Sequence, residues 1–443
     1  MHSDDSQSQS GLETGDILES LHIEDLTIEG QGVARFDGRV VFVDKGIPGE
    51  LVRARVTRIK KRIVEAETIA QIQPSPHEVP PWCSHFTECG ACSWQNMAMD
   101  AILDWKRRHI QACFSRIGKL EVSVHPLIPS PESKGFRNKM SFVFGTDQGK
   151  ATLGLRTWKG HEVVPVEQCG LVPDIVMDVV AHVRNELAGL GLDVWQENGS
   201  RGAERSANGY LRFLVVRSGI GKNGQSSAVT VECITSPEHD RELAGRSDLL
   251  TNAGAVKLLG AGLMKQFPLG GFIHSERRSA SSLAQSERLV EVIGDDFLSE
   301  SVGGKILDIP YNAFFQTNPG MAAHLYRLIE QEANLTGNET VWDLYCGVGA
   351  IGLFLADKAR QVAGFELQKE AVRAARHNAA KLGYTHCTFH AGDICVDLCR
   401  KLPSPDVIIA DPPRSGLSGQ AIEMLKAVPA TQFLDVSFTP SPP

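Results

Sequence analysis

The stretch that most constrains the fold is Val341 to Ala356, VWDLYCGVGAIGLFLA. An apolar run leads into Asp343. Gly347, Gly349 and Gly352 follow in G-x-G-x-x-G spacing, and then comes an apolar helical pattern. This reads as a strand, a tight turn and a helix, because glycines let the backbone turn sharply and approach a bound molecule closely. Glu366, nineteen residues after Gly347, closes a second apolar stretch, Gln361 to Phe365. An acid at the end of a second strand is placed to accept hydrogen bonds from ribose hydroxyls. The pattern by itself fits NAD, FAD or S-adenosylmethionine, or an ordinary strand–helix turn.

The discriminating piece lies downstream. Pro405 to Ala410 is another apolar strand, and it ends in Asp411-Pro412-Pro413-Arg414. Prolines rigidify a turn at the carboxyl end of a strand, where ligands of α/β sheets bind. A strand ending in Asp-Pro-Pro is typical of methyltransferases acting on planar bases, so S-adenosylmethionine is the expected cofactor.

At 443 residues the chain has room for two or three domains. No apolar run is long enough to span a bilayer. The first residues, MHSDDSQSQSGLETGD, are polar and acidic, unlike a signal or transit peptide. Residues 1–19 are expected to be a disordered tail, and the cytoplasm is the expected address, with no membrane partner. A net charge of −8 argues weakly against nucleic acid without excluding it, because binding depends on a local patch. Ten cysteines in a cytosolic chain point away from disulfides and towards metal ligands or catalytic thiols.

From the N-terminus, Leu26 to Gln73 reads as a small all-β unit. Leu51 to Val56 and Ile63 to Ile72 alternate, and glycines mark the turns. A small barrel of oligonucleotide-binding type is expected over residues 20–75. Arg53, Arg55, Arg58, Lys60, Lys61 and Arg62 crowd one strand and its turn. They read equally as a solvated edge or as a phosphate-tracking patch. A proline-rich linker follows, and then Cys83, Cys89 and Cys92 in C-x5-C-G-x-C spacing, with Cys169 as a distant fourth thiol. Zinc sites usually pair two CxxC knuckles. Here the fourth cysteine stands alone, so a [4Fe–4S] cluster is favoured over zinc.

Met97 to Leu120 reads as a helix with an apolar stripe that includes Trp105 and Cys113. Residues 76–290 are expected to form a central α/β domain carrying the cluster. Within it Ile175 to Leu187 is a helix, and Ser141–Gly145, Leu153–Trp158, Tyr210–Ser218 and Ala228–Ile234 are strands. Arg137 and Lys139, in Phe136-Arg137-Asn138-Lys139-Met140, either touch phosphates or cap a surface strand. In Tyr311 to Pro319 aromatics precede polar amides. This suits a loop that stacks on a ring, or a turn into the helix from Met321 capped by Asn318. Residues 291–443 are expected to form a Rossmann-like α/β domain, with Asp393 at a strand end. Cys233, Cys346, Cys387, Cys395 and Cys399 read as structural.

Taken together, CxxxxxCGxC, FRNKM, FFQTN, DLYCGVGAIG, GFE and DPPRSGL occur in this order. The chain resembles the RNA uracil-C5-methyltransferases, makers of 5-methyluridine. More narrowly it resembles the ribosomal-RNA branch with a TRAM domain and an iron–sulfur cluster, over roughly residues 20 to 440. The resemblance implies cofactor contacts at Gln316, Tyr345, Gly347, Gly349, Glu366 and Asp411, with Asp393 a looser match. It implies cluster ligands at Cys83, Cys89, Cys92 and Cys169. It also implies an RNA substrate, ribosomal rather than transfer, a monomer, and a Met97–Leu120 helix packed on the catalytic domain. An Asn common in relatives is replaced here by Ala350.

In this family a cysteine thiolate adds to uracil C6, the enolate attacks the sulfonium methyl, and a base removes the C5 proton. The nucleophile sits in Ser-Cys-Asn-Pro, and this chain has Ser437-Phe438-Thr439-Pro440 in the corresponding place. A phenyl ring cannot add to C6, and the sequence stops at Pro443 before a glutamate base. The expectation is a chain with no identifiable catalytic residue, either a truncated reading or a decayed relative. The alternative function is a non-catalytic RNA-binding protein that keeps the cofactor and cluster sites. An enzyme methylating an exocyclic amine ranks last, because such enzymes carry an aromatic where Arg414 stands.

Overall fold

The computed structural model describes residues 11–61, 63–198, 206–221, 227–237, 251–394 and 402–437. Arg62, Cys395, Cys399 and Phe438 therefore lie outside the described residues. The chain divides into two compact units, Met1–Pro129 and Ser130–Pro443.

The first unit begins with five strands: β1 (Ile17–Leu26), β2 (Gln31–Phe36), β3 (Arg39–Asp44), β4 (Leu51–Lys60) and β5 (Ile63–Gln73). They close into a barrel in the order β1-β2-β3-β5-β4. Period-two alternation drives the closure. In β4, Val52, Ala54 and Val56 are buried, while Arg53 and Arg55 point outward between them. Strand β1 starts at Ile17, inside the expected tail, so the barrel begins earlier than position 20. It escaped the periodicity reading because a register shift between Leu18 and Leu21 breaks its alternation.

Helix α1 covers Met99–Ala112, and a wider π-helical turn, Cys113–Gly118, completes the expected helix. Its buried face, Ile102 and Trp105, packs against Leu26, Ile47 and Met97 of the barrel unit. The Trp105 indole donates to Asp25 Oδ1 at 2.6 Å. The cysteine segment and this helix thus belong with the barrel, and the second unit starts only at Ser130.

The second unit opens with β6 (Lys139–Asp147), β7 (Lys150–Arg156), β8 (Val163–Val164) and α2 (Asp174–Leu190). Next come β9 (Gln196–Asn198), β10 (Ser206–Asn208), β11 (Leu211–Ile220), β12 (Ser227–Thr235) and α3 (Asn252–Gln266). Strands β13 (Leu269–Glu276), β14 (Arg288–Gly294), β15 (Phe297–Val302) and β16 (Lys305–Pro310) complete this part. All of these strands but the β9–β10 ribbon share one nine-stranded sheet, seven in the order β14-β13-β12-β11-β6-β7-β8, with β15 attached through β11 and β16 paired to β15. The sheet therefore runs past the expected boundary at 290, which falls inside it. Asn138 joins this sheet to the following loop, donating its backbone N–H to Thr317 O at 2.8 Å.

Helix α4 (Pro319–Ala333) starts two residues before the expected Met321 and carries the expected cap, with Asn318 Oδ1 accepting from Met321 N–H at 3.0 Å. Strand–helix alternation then gives β17 (Thr340–Leu344), α5 (Ala350–Leu355), β18 (Gln361–Glu366), α6 (Lys369–Lys381) and β19 (Cys387–Ala391). β20 (Val407–Ala410), α7 (Gly419–Lys426) and β21 (Gln432–Asp435) follow. The five strands form an all-parallel sheet ordered β19-β18-β17-β20-β21. β17 and β20 are buried along their whole length, as strands covered on both faces must be. Chain direction across the sheet reverses between β17 and β20, the switch point where such sheets bind ligands.

Candidate functional site

At the carboxyl end of β17 the chain turns through Tyr345, Gly347 and Gly349, with φ of 61°, 54° and 82°. The tyrosine is a non-glycine residue in the left-handed region, a strained conformation concentrated at ligand sites. A Cβ on Gly349 would sit 2.9 Å from two ring carbons of Phe389, whereas one on Gly347 would meet no atom within 4 Å. Gly349 thus lets the loop close onto the sheet, and Gly347 presents bare backbone. The turn is fastened by Gly349 N–H to Cys346 O at 2.8 Å, and by Gly352 N–H to Asp343 Oδ2 at 2.8 Å.

Glu366 ends β18 beside this loop. Its Oε2 accepts from Gly347 N–H at 3.2 Å and its Oε1 from Gln368 N–H at 2.8 Å. The next residue, Leu367, is 70% exposed, a large apolar side chain standing open at the site. Gly392 N–H donates to Glu366 O at 2.9 Å, which brings the end of β19 and the exposed Asp393 to the same rim.

Asp411 follows β20, next to β17. Burial and the charge of Asp435 push its carboxyl up to about 6, and a side-chain hydrogen bond from Gln316 works against them. The loop that delivers Gln316 is braced from below. Arg217, fully buried, donates to Ala313 O at 3.0 Å. Phe314, two residues before Gln316, is 66% exposed. Asp343 lies beneath these groups. It is completely buried, its Oδ1 has no partner among the described residues, and burial with the nearby Asp411 and Glu366 charges raises it to about 7. Burial also raises the Tyr326 hydroxyl, on α4, and the Asp411 and Asp343 charges add to the shift. Three carboxylates, an amide, bare glycine backbone and two exposed apolar side chains thus share one rim. The arrangement suits a ligand with ribose hydroxyls, a flat ring and a positive centre.

The expected cofactor residues Gln316, Tyr345, Gly347, Gly349, Glu366, Asp393 and Asp411 all belong to this edge of the parallel sheet. Asp343, Arg217 and Tyr326 were not anticipated. A carboxylate inside the apolar run VWDLY was the available signal for the first of them.

Other expectations land differently. Arg53, Arg55 and Arg58 each face a glutamate: Glu19 at 2.9 Å, Glu67 at 3.3 Å and Glu65 at 3.5 Å. Lys60 and Lys61 stand at the tip of the β4–β5 turn, with Lys61 at φ 56°. Lys139 is not a surface cap. Burial, with the Arg217 charge, lowers its amine to about 8, and Glu232 opposes the shift. Arg137 is half-buried and donates its backbone N–H to Leu171 O at 2.8 Å.

Cys83, Cys89 and Cys92 lie in the first unit and Cys169 in the second. Lys45 lies near the first three: burial lowers its amine, and the fields of Cys89, Cys92 and Cys83 oppose that shift. The donor set has the chemistry of a cluster site. Among the described residues, however, no three His, Cys, Asp or Glu side chains converge as a metal site. Near the rim, Cys346 is buried and its thiol is held well above the ordinary range. Burial likewise pushes Cys387 to about 12. β21 runs parallel to β20, and Val436 N–H donates to Ala410 O at 2.8 Å, which sets Val436 next to the residue before Asp411.

Residues 335–432 match the family profile described as a methyltransferase domain, and residues 19–69 that of the TRAM domain. An uncharacterized RNA methyltransferase of Nitratidesulfovibrio vulgaris is 38% identical over 427 residues, spanning 95% of this chain and 87% of the relative. One of Caldanaerobacter subterraneus is 32% identical over 428 residues, spanning 96% and 90%. The solved tRNA (uracil-54, C5)-methyltransferase of Pyrococcus abyssi, in complex with S-adenosyl-L-homocysteine, has a TM-score of 0.69. It covers 95% of this chain and 91% of its own at 23% identity, a likeness of fold.

Proposed function

The chain belongs to the RNA methyltransferases that carry a TRAM domain, and from that premise we propose that its rim binds S-adenosylmethionine for a uracil-C5 site. The observation that carries the reading is the convergence of Glu366, the Gly347–Gly349 backbone and the Gln316–Asp411 pair at the sheet's switch point. Glu366 would take the ribose hydroxyls and Leu367 would flank the adenine. Asp411, Asp343 and Glu366 would favour the sulfonium charge. Tyr345 and Asp393 complete the proposed contacts. The methyl donor supplies an electrophilic carbon. Phe314, exposed beside Gln316, offers a stacking face for an unstacked base. RNA, ribosomal before transfer, is the proposed partner, and Lys60 and Lys61 are the proposed phosphate contacts on the barrel.

A second reading concerns the thiol. Addition to uracil C6 needs an accessible thiolate. Cys346 and Cys387 are held protonated by burial, and Phe438 occupies the nucleophile's place in the sequence. We therefore propose that a chain with Phe438 in that place binds the cofactor and RNA without transferring the methyl group. Incubation with labelled S-adenosylmethionine and unmodified ribosomal RNA tests this. Label at uracil C5 would overturn the inactivity. Failure to bind S-adenosyl-L-homocysteine by calorimetry would overturn the donor site itself.

The cluster is also a proposal. Cys83, Cys89, Cys92 and Cys169 would hold it, with Lys45 offsetting thiolate charge. Iron and acid-labile sulfide in anaerobically purified protein, lost on Cys89→Ser, is the expected outcome. Iron-free protein of unchanged stability would refute it.

A further inference from the structure

Asn378 sits in the last turn of α6 with no exposed surface. Its Oδ1 accepts from Asp308 N–H at 2.8 Å, and its Nδ2 donates to Asp308 O at 3.1 Å. Among the described strands β16 pairs only with β15, so its other edge has no strand partner there. The side-chain amide supplies both halves of the missing ladder contact, as a peptide group would. The same Nδ2 also donates to Val348 O at 3.3 Å. Val348 lies between Gly347 and Gly349, in the turn that faces the cofactor rim. One buried amide therefore ties the β15–β16 hairpin, α6 and the glycine turn together.

Neighbouring contacts divide the labour. The Asp308 carboxylate takes Ser299 Oγ at 2.6 Å, Lys381 Nζ at 2.6 Å and His377 Nε2 at 2.9 Å. These fasten α6 to the hairpin and do not reach the glycine turn. Among the described residues, the Nδ2–Val348 contact is what extends from this cluster into the loop. The Val348 carbonyl shares one planar peptide group with the Gly349 N–H, so a carbonyl held towards α6 fixes the direction of that N–H, which donates to Cys346 O at 2.8 Å and closes the turn. In a water-excluded site such a contact has no solvent to replace it.

We infer that Asn378 is a positioning residue for the cofactor, setting the peptide orientation of the Gly347–Gly349 turn through its donation to Val348. The inference rests on the donor-site reading given above and deepens it. No contact between Asn378 and the cofactor is involved.

The test compares two variants of the full chain. Asn378→Asp keeps the size and the acceptor for Asp308 N–H, but it sets a carboxylate oxygen against the carbonyls of Asp308 and Val348. Lys381→Met removes an ion pair on Asp308 and leaves the Val348 contact intact. Binding of S-adenosyl-L-homocysteine is measured by calorimetry beside urea unfolding. Asn378→Asp is expected to weaken binding roughly tenfold or more, the effect of one buried hydrogen bond turned repulsive. Lys381→Met is expected to lower stability with affinity unchanged. Wild-type affinity in Asn378→Asp overturns the inference, and so does equal weakening by both variants. If Asn378→Asp does not fold, Asn378→Ser removes the donor without adding charge, and its affinity decides the same way. Absence of binding in the unmodified chain would instead sink the donor-site reading.

Discussion

Replacing Asp343 with Asn isolates the electrostatic strain stored under the cofactor turn. The carboxyl is fully buried, one oxygen accepts from Gly352 N–H and the other has no partner among the described residues. Its pKa stands at about 7, against 3.8 for an ordinary aspartate. At about 1.4 kcal/mol for each tenfold change in proton affinity, the full effect is slightly more than about 4 kcal/mol. The sign follows from proton counting. Between those two pH values the native chain keeps a proton that the unfolded chain has lost. The stability that the protonated carboxyl contributes is complete below about pH 4 and is lost as the pH rises to about 7. Asn mimics the protonated acid in size and retains an acceptor for Gly352 N–H. Its advantage over Asp should therefore grow by about 2–3 kcal/mol between about pH 5 and about pH 8. Urea unfolding of both proteins at the two pH values measures this, and the difference between them cancels the other titrating groups. A variant whose relative stability is flat, or falls with rising pH, would refute the reasoning.

Gly349→Ala forces a side chain into φ 82° and against Phe389. It should cost about 2–4 kcal/mol in thermal unfolding and abolish binding of S-adenosyl-L-homocysteine; wild-type values would count against the tight-turn account. Asp411, held up at about 6, must lose its proton to face a sulfonium. The preference for S-adenosylmethionine over S-adenosyl-L-homocysteine should therefore strengthen as the pH climbs towards about 6, by up to roughly tenfold for each step of one in pH. A preference in calorimetry that does not move with pH contradicts this. Arg55, paired with Glu67, and the lysines at the β4–β5 tip should behave differently towards RNA. Lys60→Ala with Lys61→Ala should lower the salt slope of RNA binding by about one per lost phosphate contact, while Arg55→Ala changes it little. Equal effects would restore the broad basic patch.

Much of the architecture was legible from the string of residues, because it is encoded locally. The run into Asp343, the glycine spacing, Glu366 and Asp411 each sit at the end of an apolar strand, and strand–turn–helix order dictates which strand ends share an edge. Helix α6 and the cap at Asn318 follow from short-range signals of the same kind. Strand β1 did not, since its bulge erases the alternation on which a sequence reading depends. Charge partners are likewise invisible in sequence. The β4–β5 pairing brings Glu67 and Glu65 to Arg55 and Arg58, closure of β1 onto β4 brings Glu19 to Arg53, and only the packed sheet half-buries Lys139 and lowers its amine. The Gln316–Asp411 bond spans ninety-five residues, and the Asn378 bridge joins three separate elements. Periodicity and turn chemistry act within a few residues, so the sequence alone determined which elements form and which chemistry they carry. Burial and pairing depend on segments far apart in the chain, so only the tertiary structure decided which polar groups are neutralised, which are strained, and which hold the cofactor turn in place.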